Sequence, residues 1–190
     1  MSIIEPGQRI LFMKVGTHAQ EPLDEIIERK TKEIEDAGYA LWGYGGSTCH
    51  PQMVVQPFAR AYEELGGVIF LCMEPMTSKH YAPPLRANEY SVDAIEWKQI
   101  PPEVNARGSR YALFIKNLRR EDFELPLSRT RVALGNKMGA IGSRYVRGRV
   151  DKACLEVTDK DDPKNEHIVQ IGLVAELVEP YAVYLRNRAA

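Results

Sequence analysis

Short apolar segments bounded by glycine or proline recur along the sequence, and they constrain the fold more than any other feature. The clearest is residues 68–73, which follow Gly66 and Gly67 and are all apolar. A short run of this kind, rich in β-branched and aromatic residues, is typical of a buried strand. The same pattern predicts strands at residues 9–15, 39–44, 95–99, 111–117, 131–134, 168–178 and 181–185. Residues 143–157 are predicted as one long strand or as a hairpin bent at Gly148.

Two helices are predicted, and both lie in the first third of the chain. Residues 21–37 begin with acidic residues, carry an apolar stripe and end at Gly38. A second helical stretch runs from Ser47 or Thr48 to Leu65, with Pro57 marking a kink or a restart. Because the helices cluster before the strands, we expect an α+β fold in one domain spanning residues 1–190. The expected architecture is a small, partly closed β-barrel or a strongly curved mixed sheet.

The composition argues against a membrane or disulfide-rich protein. No apolar run approaches the roughly 18 residues that a transmembrane helix needs. The N-terminal residues do not show the basic and apolar regions of a secretory signal. The three cysteines, Cys49, Cys72 and Cys154, are too few and too widely spaced for a disulfide framework. We therefore predict a protein of the reducing cytoplasm.

Charge is unevenly distributed along a chain whose net charge is −1. Residues 126–150 contain six basic residues and no acidic one, and four glycines occur among them. Such a segment can bind phosphate through cationic side chains and through a backbone nest of N–H groups. It can equally be a solvated edge strand that its charges protect from aggregation. The candidate phosphate-binding residues are Arg129, Arg131, Lys137, Ser143, Arg144, Arg147 and Arg149.

An aromatic and glycine-rich segment, residues 41–51, is the second candidate site. Trp42 and Tyr44 stand two apart on a predicted strand, so they face the same side of the sheet. The neighbouring glycines leave room for a flat ligand, and a helix N-terminus follows directly. The segment can therefore stack a nucleobase and hold an anion beside it. The alternative is that both rings are core residues and that the glycines form a tight turn.

Cys49 and His50 are adjacent at the predicted helix start. A thiolate is favoured at a helix N-terminus, and an imidazole can act as its base, which makes this pair a candidate catalytic site. However, adjacent residues on a turn rarely point at each other. Cys49, His50, Cys72 and His80 do not have the short paired spacings of a zinc site, so we predict no metal ion. No motif indicates another cofactor.

The order of the elements resembles that of a known superfamily. A first strand with Lys14 is followed by a helix, then by Trp42-Gly-Tyr-Gly-Gly before a short helix, then by a Gly-Gly-Val-Ile-Phe-Leu strand. Over residues 8–75 this order resembles the PUA-like superfamily in its EVE, ASCH and YTH branches. The resemblance implies a small barrel whose pocket binds RNA or modified nucleobases by aromatic stacking, with basic residues around it. It implies stacking by Trp42 and Tyr44, with Trp97 as a further candidate.

Three functional hypotheses follow. The first is a non-enzymatic binding module for a nucleobase-containing ligand, which is a free or cyclic nucleotide or a modified base in nucleic acid. A free nucleotide suits the near-neutral net charge better, because only a few phosphates need neutralising. The second is a small enzyme that acts on an anionic substrate with Cys49 and His50, under a long loop at residues 74–86. The third is an interaction or assembly domain that docks an acidic partner, such as another copy of the chain, through a basic strand at residues 143–157.

Overall fold

The structure of the protein, a computed structural model, describes residues 2–80 and 82–188. Within these residues, nine strands belong to one sheet and three stretches are α-helical. A π-helical turn at Pro51–Val55 leads directly into the second helix. The strands are β1 Arg9–His18, β2 Ala40–Tyr44, β3 Phe70–His80, β4 Glu89–Ser91, β5 Lys98–Gln99, β6 Tyr111–Pro126, β7 Thr130–Val132, β8 Lys152–Val157 and β9 Ile168–Arg186, and the helices are α1 Leu23–Ala37, α2 Gln56–Glu63 and α3 Gly142–Tyr145.

The sheet is mixed and has two free ends. Its main order is β2-β6-β9-β3-β1-β8-β7, and β4 adds to β9 and carries β5. Strands β1 and β3 run parallel, whereas the other described strand pairs are antiparallel. Because the end strands β2 and β7 do not pair with each other in the described chain, the sheet is not closed. A curved mixed sheet therefore fits the structure, and the barrel is not shown.

The sheet buries side chains on both of its faces. Leu11 and Met13 of β1 belong to a core cluster that Ile26 of α1 and Phe58 of α2 cover. Phe12, between them, faces a separate cluster on the opposite side. A strand that is covered on both faces has no polar side to expose. This double burial explains why the inner strands are continuous apolar runs in the sequence.

A buried ion cluster attaches α1 to the segment that precedes β6. The Arg29 guanidinium donates two hydrogen bonds to the Glu21 carboxylate, of 2.6 and 2.9 Å, and pairs with Glu33 at 2.9 Å. Lys30 pairs with Glu33 at 3.1 Å, and both side chains are almost fully buried. Arg29 and Lys30 also donate to the Asn105 carbonyl, and Glu33 accepts from the Asn105 N–H. These bonds fix residues 105–110 against the helix.

The structure confirms the coarse predictions from the sequence. The fold class is α+β, and the apolar run at residues 68–73 lies largely in β3. The second helical stretch changes from π-helix to α-helix at Gln56. This change lies next to Pro57, where the sequence predicted a kink or a restart of the helix. On the other hand, β9 continues through Pro180, where the sequence suggested a break, because that part of the strand forms a bulge against β6.

The strand predicted at residues 95–99 forms only in part. Lys98 and Gln99 form β5, whereas the Asp93 carboxylate accepts the N–H groups of Ile95 and Glu96 and holds them in a turn.

Two other predictions were wrong. Residues 74–80, predicted as part of a loop, extend β3 alongside β1, and Tyr81 of that loop lies outside the described residues. The long strand or hairpin predicted at residues 143–157 does not form, because its first part is the third helix, α3, followed by a turn, and β8 begins only at Lys152. Arg144, Arg147 and Arg149 are therefore not on a basic strand.

Of the described helices, none is long and apolar enough to cross a lipid bilayer.

The ion cluster generates a pH prediction. Burial lowers the pKa of Lys30 from 10.5 to about 8. At a pH between about 8 and 10.5, the Lys30 amine is largely protonated in the unfolded chain and largely neutral in the folded protein. The free energy of unfolding should therefore rise with pH in this range. We expect the free energy of unfolding of the native protein, minus that of Lys30→Met, to increase between about pH 8 and pH 10 by up to about 1.4 kcal/mol per pH unit. Urea titrations of both proteins measure this difference, and a difference independent of pH would contradict the prediction.

Candidate ligand-binding site

A cavity of about 860 Å³ opens between the end of β2 and the ends of three other strands. Its walls come from β1, from the turn after β2, from the segment before β6 and from the loop that leads into β8. Met76 and Lys79 of β3 complete the lining. The size lies within the range of roughly 300–1,000 Å³ that is usual for small-molecule sites. We call this space the basic cavity, and its lining residues are 13–18, 42, 43, 45–48, 76, 79, 108, 110 and 148–152.

Both aromatic residues of β2 are buried in the core cluster that α1 and α2 cover, and Trp42 also borders the basic cavity. Trp42 lines the basic cavity, although only 5% of its surface is exposed. Tyr44 lies in the core beside Tyr111, with ring centroids 5.4 Å apart, and its hydroxyl donates to the Cys49 carbonyl at 2.7 Å. Burial raises the pKa of Tyr44 well above its usual value. Of the pair, Trp42 alone lines the cavity in the described structure.

The turn after β2 lines the cavity with Gly45 and Gly46 and with Ser47 and Thr48. Gly46 has a φ of 87° and Cys49 a φ of 56°, so the chain bends through the left-handed region twice. A side chain at Gly45 would meet nothing within 4 Å, whereas Ser109 occupies the space beside Gly43. None of the N–H groups of residues 45–49 donates to another described backbone group. Unpaired N–H groups at such bends form the concave anion site known as a nest.

Five basic residues line the basic cavity, and they come from four segments of the chain. Lys152 is nearly buried, and its Nζ pairs with the Asp151 carboxylate at 2.6 Å. The same Nζ lies beside Gly46, 3.4 Å from the position that a Cβ atom would take on that glycine. Asp151 is the one acidic residue among the described lining residues. The other four bases form no ion pair with a described residue. The five are Lys14, Lys79, Arg110, Arg149 and Lys152.

Hydrogen bonds hold the Arg110 segment beside the end of β1. The His18 Nε2 lies 3.1 Å from both the Arg107 carbonyl and the Ser109 hydroxyl. Ser109 in turn donates to the Arg107 carbonyl at 3.0 Å. Together with the ion cluster at Asn105, these bonds fix the wall from which Arg110 reaches the cavity.

Most of the basic residues predicted to bind phosphate lie elsewhere. Arg149 lines the basic cavity, but the other six residues of that prediction do not. Arg131 donates to the carbonyls of its own turn, Arg144 donates to the Asn165 side chain, and Arg147 donates to the Ser143 carbonyl. Ser143 is fully buried, and Lys137 is exposed on a loop. Arg129 belongs to a 3-10 turn before β7.

Trp97 is also remote from the cavity lining. It lies next to β5, and the Arg186 guanidinium carbon stands 3.9 Å from its ring centroid. Arg186 is itself paired with Glu89. One face of this indole is thus already covered by a cation.

The geometry of Cys49 and His50 does not resemble a thiol and its base. The Cys49 thiol is hydrogen-bonded to the Cys154 thiol, and this bond together with burial raises the pKa of Cys154 well above its usual value. The His50 Nδ1 accepts the Met53 N–H at 3.3 Å, and its Nε2 lies 3.1 Å from the Tyr184 oxygen. Because Tyr184 donates to Gln52, the imidazole is the donor to Tyr184. His50 therefore caps the π-helical turn.

Four cavity bases, Lys14, Lys79, Arg110 and Lys152, were not among the predicted site residues. Lys14, Lys79 and Arg110 lie far from the basic segment at residues 126–150, so that segment does not indicate them. Lys152 lies just beyond the basic segment at residues 126–150, and extending that segment to β8 would have included it. The other three reach the cavity only through tertiary packing.

Comparisons of the chain with protein-family models, with curated proteins and with solved structures found no match. The resemblance to the PUA-like superfamily stays a prediction.

The cysteine geometry predicts unreactive thiols. Cys49, Cys72 and Cys154 are all buried, and burial raises the pKa of the Cys72 thiol. We expect iodoacetamide to label the folded protein near neutral pH roughly 100-fold more slowly than the urea-unfolded protein, since the reagent needs an accessible thiolate. Mass spectrometry of timed samples measures both rates. Rapid and selective labelling of Cys49 in the folded protein would support the enzyme hypothesis instead.

Proposed function

We propose that this protein is a non-enzymatic binding module for a nucleobase-containing anion, with a free nucleotide as its ligand. The observation that carries the proposal is that Trp42, an unpaired glycine turn and five basic side chains line the same cavity. Trp42, of which 5% is exposed, offers the base a small apolar contact. The turn and the bases offer hydrogen-bond donors and positive charge for the phosphate.

The electrostatics of the basic cavity favour an anion. Five cations face one carboxylate, which Lys152 already engages. Cations gathered around one cavity repel one another, and the field they create concentrates negative ligands. Lys79, Arg110 and Arg149 are exposed, so solvent screens part of this repulsion. Binding an anion relieves this repulsion. A neutral or cationic ligand would leave it in place.

The apolar part of the lining favours a planar group next to the charges. The exposed part of Trp42 shares the wall with Met13 and Val15, and Met76 lies on the β3 side. Because Trp42 exposes only 5% of its surface, the base would rest against the accessible part of the indole rather than on a fully open face. Stacking on an aromatic side chain contributes about 1–3 kcal/mol per base, and partial contact gives the lower end of that range.

A free nucleotide suits the molecule better than a long nucleic acid. The net charge of the chain is −1, and the described cations of the site are gathered around one cavity. A long nucleic acid would need many phosphate contacts spread over a surface. The three unpaired cysteines suit the reducing cytoplasm, where we propose that the protein acts.

The two tryptophans allow a direct test by fluorescence. Trp97→Phe leaves Trp42 as the single indole, and Trp42→Phe leaves Trp97 as its matched control. We expect the four common ribonucleoside triphosphates, titrated separately, to include at least one that changes the Trp42 emission saturably, because the base contacts that ring. The same nucleotide should leave the emission of Trp97 unchanged.

Thermal unfolding of both variants checks that each is folded before titration. A saturable response of Trp97 with none from Trp42 would place the ligand away from the basic cavity. The absence of any response from either variant, with no heat of binding to the native protein, would refute the proposed function.

A further inference from the structure

We infer that the ligand of the basic cavity carries at least two linked phosphate groups on one nucleoside, so that its class is a nucleoside polyphosphate. This inference rests on the proposed function and specifies it further. Three features support it: the number of cations, their spread along the strands, and the position of the glycine turn at one end.

The number of cations exceeds what one phosphate can neutralise. A phosphate monoester carries a charge of roughly −1.5 to −2 near neutral pH. Lys14, Lys79, Arg110 and Arg149 have no acidic partner among the described residues, and the Lys152 ion pair leaves the balance unchanged. A monophosphate would therefore leave about half of this charge unneutralised. Two or three linked phosphates match it.

The cations are also spread both across and along the sheet. Strand β1 lies between β3 and β8, and its Thr17 pairs with Lys79 whereas its Met13 pairs with Lys152. Neighbouring strands are about 4.8 Å apart, so the Cα atoms of these two lysines are about 10 Å apart across the sheet. Their levels differ by four residues of β1, about 13 Å along the strand, so the two Cα atoms are about 16 Å apart. Linked phosphates present charge over a longer path between these positions than a single phosphate does.

The glycine turn defines the end of the cavity nearest the base. Residues 45–48 begin three residues after Trp42, and the buried Lys152 ammonium lies against Gly46. A phosphate attached to the sugar of a base at Trp42 would therefore lie at the turn. Its neighbours would extend along β1 towards Lys14 and Lys79. The Lys79 side chain is exposed and is not part of the core, so its charge can act on a ligand without a role in packing.

The test is a calorimetric titration, at fixed ionic strength, with the mono-, di- and triphosphate of the nucleoside that gives the strongest response, and with inorganic tripolyphosphate. We expect affinity to rise about tenfold or more from the monophosphate to the triphosphate, because each added phosphate meets further cations. We expect tripolyphosphate to bind more weakly than the nucleoside triphosphate, because it cannot contact Trp42.

A variant pair locates the distal phosphates. Lys79→Gln should weaken triphosphate binding by about fivefold to tenfold and leave monophosphate binding unchanged, since only the distal groups reach it. Lys98→Gln, an equally exposed lysine on β5, is the matched control and should change neither affinity. Loss of monophosphate binding in Lys79→Gln would contradict this placement.

The other outcomes separate the inference from the proposed function. Equal affinity for the monophosphate and triphosphate would overturn the inference and leave nucleotide binding intact. Equal affinity for tripolyphosphate and the nucleoside triphosphate would overturn the proposed function, because the base would then contribute nothing. Failure of every compound to bind would overturn both.

Discussion

The pairing of β9 with β6 on one side and with β3 on the other is the interaction on which the rest of the structure depends. It joins β2 and β6 to the strands β3, β1, β8 and β7. Strands β2 and β1 are four positions apart in this order, which is about 19 Å in a flat sheet. Both nevertheless line one cavity, so the sheet must curve around the core that α1 and α2 cover. The cavity is a consequence of that curvature, because it lies where the two parts of the sheet approach each other.

Positive charge is concentrated where backbone, rather than packed side chains, forms the walls. The glycine turn and the loop before β8 supply surfaces without bulky groups, and the strand ends supply lysines. The buried ions of α1 have a different role, since Arg29, Lys30 and Glu33 pair with one another and with Asn105. They position the Arg110 wall instead of meeting a ligand. A buried ion network adds little net stability, but it fixes one arrangement of the segments that it joins when its bonds are satisfied.

Local patterns in the sequence predicted the strands and helices that have a regular apolar pattern. They failed for segments whose conformation depends on tertiary contacts. The apolar run at residues 68–73 was predicted as a strand, but Pro75 and the polar residues after it concealed the extension of β3 to His80, which parallel pairing with β1 supports. The sequence predicted a long strand or a hairpin at residues 143–157, yet Val146 is buried just after a short helix. Within the candidate site, Trp42, the glycine turn and Arg149 could be proposed from sequence, and Lys152 lies just beyond the basic segment. Lys14, Lys79 and Arg110 could not be proposed, because only folding brings them to the cavity.

The central claim is that the basic cavity is the nucleotide site. A crystal structure grown with a saturating ribonucleoside triphosphate tests it most directly. The account predicts electron density for the base against Trp42 and for the first phosphate at the turn formed by residues 45–48, with the remaining phosphates near Lys14 and Lys79. Density for the nucleotide at full occupancy on another surface, together with an empty basic cavity, would contradict the account.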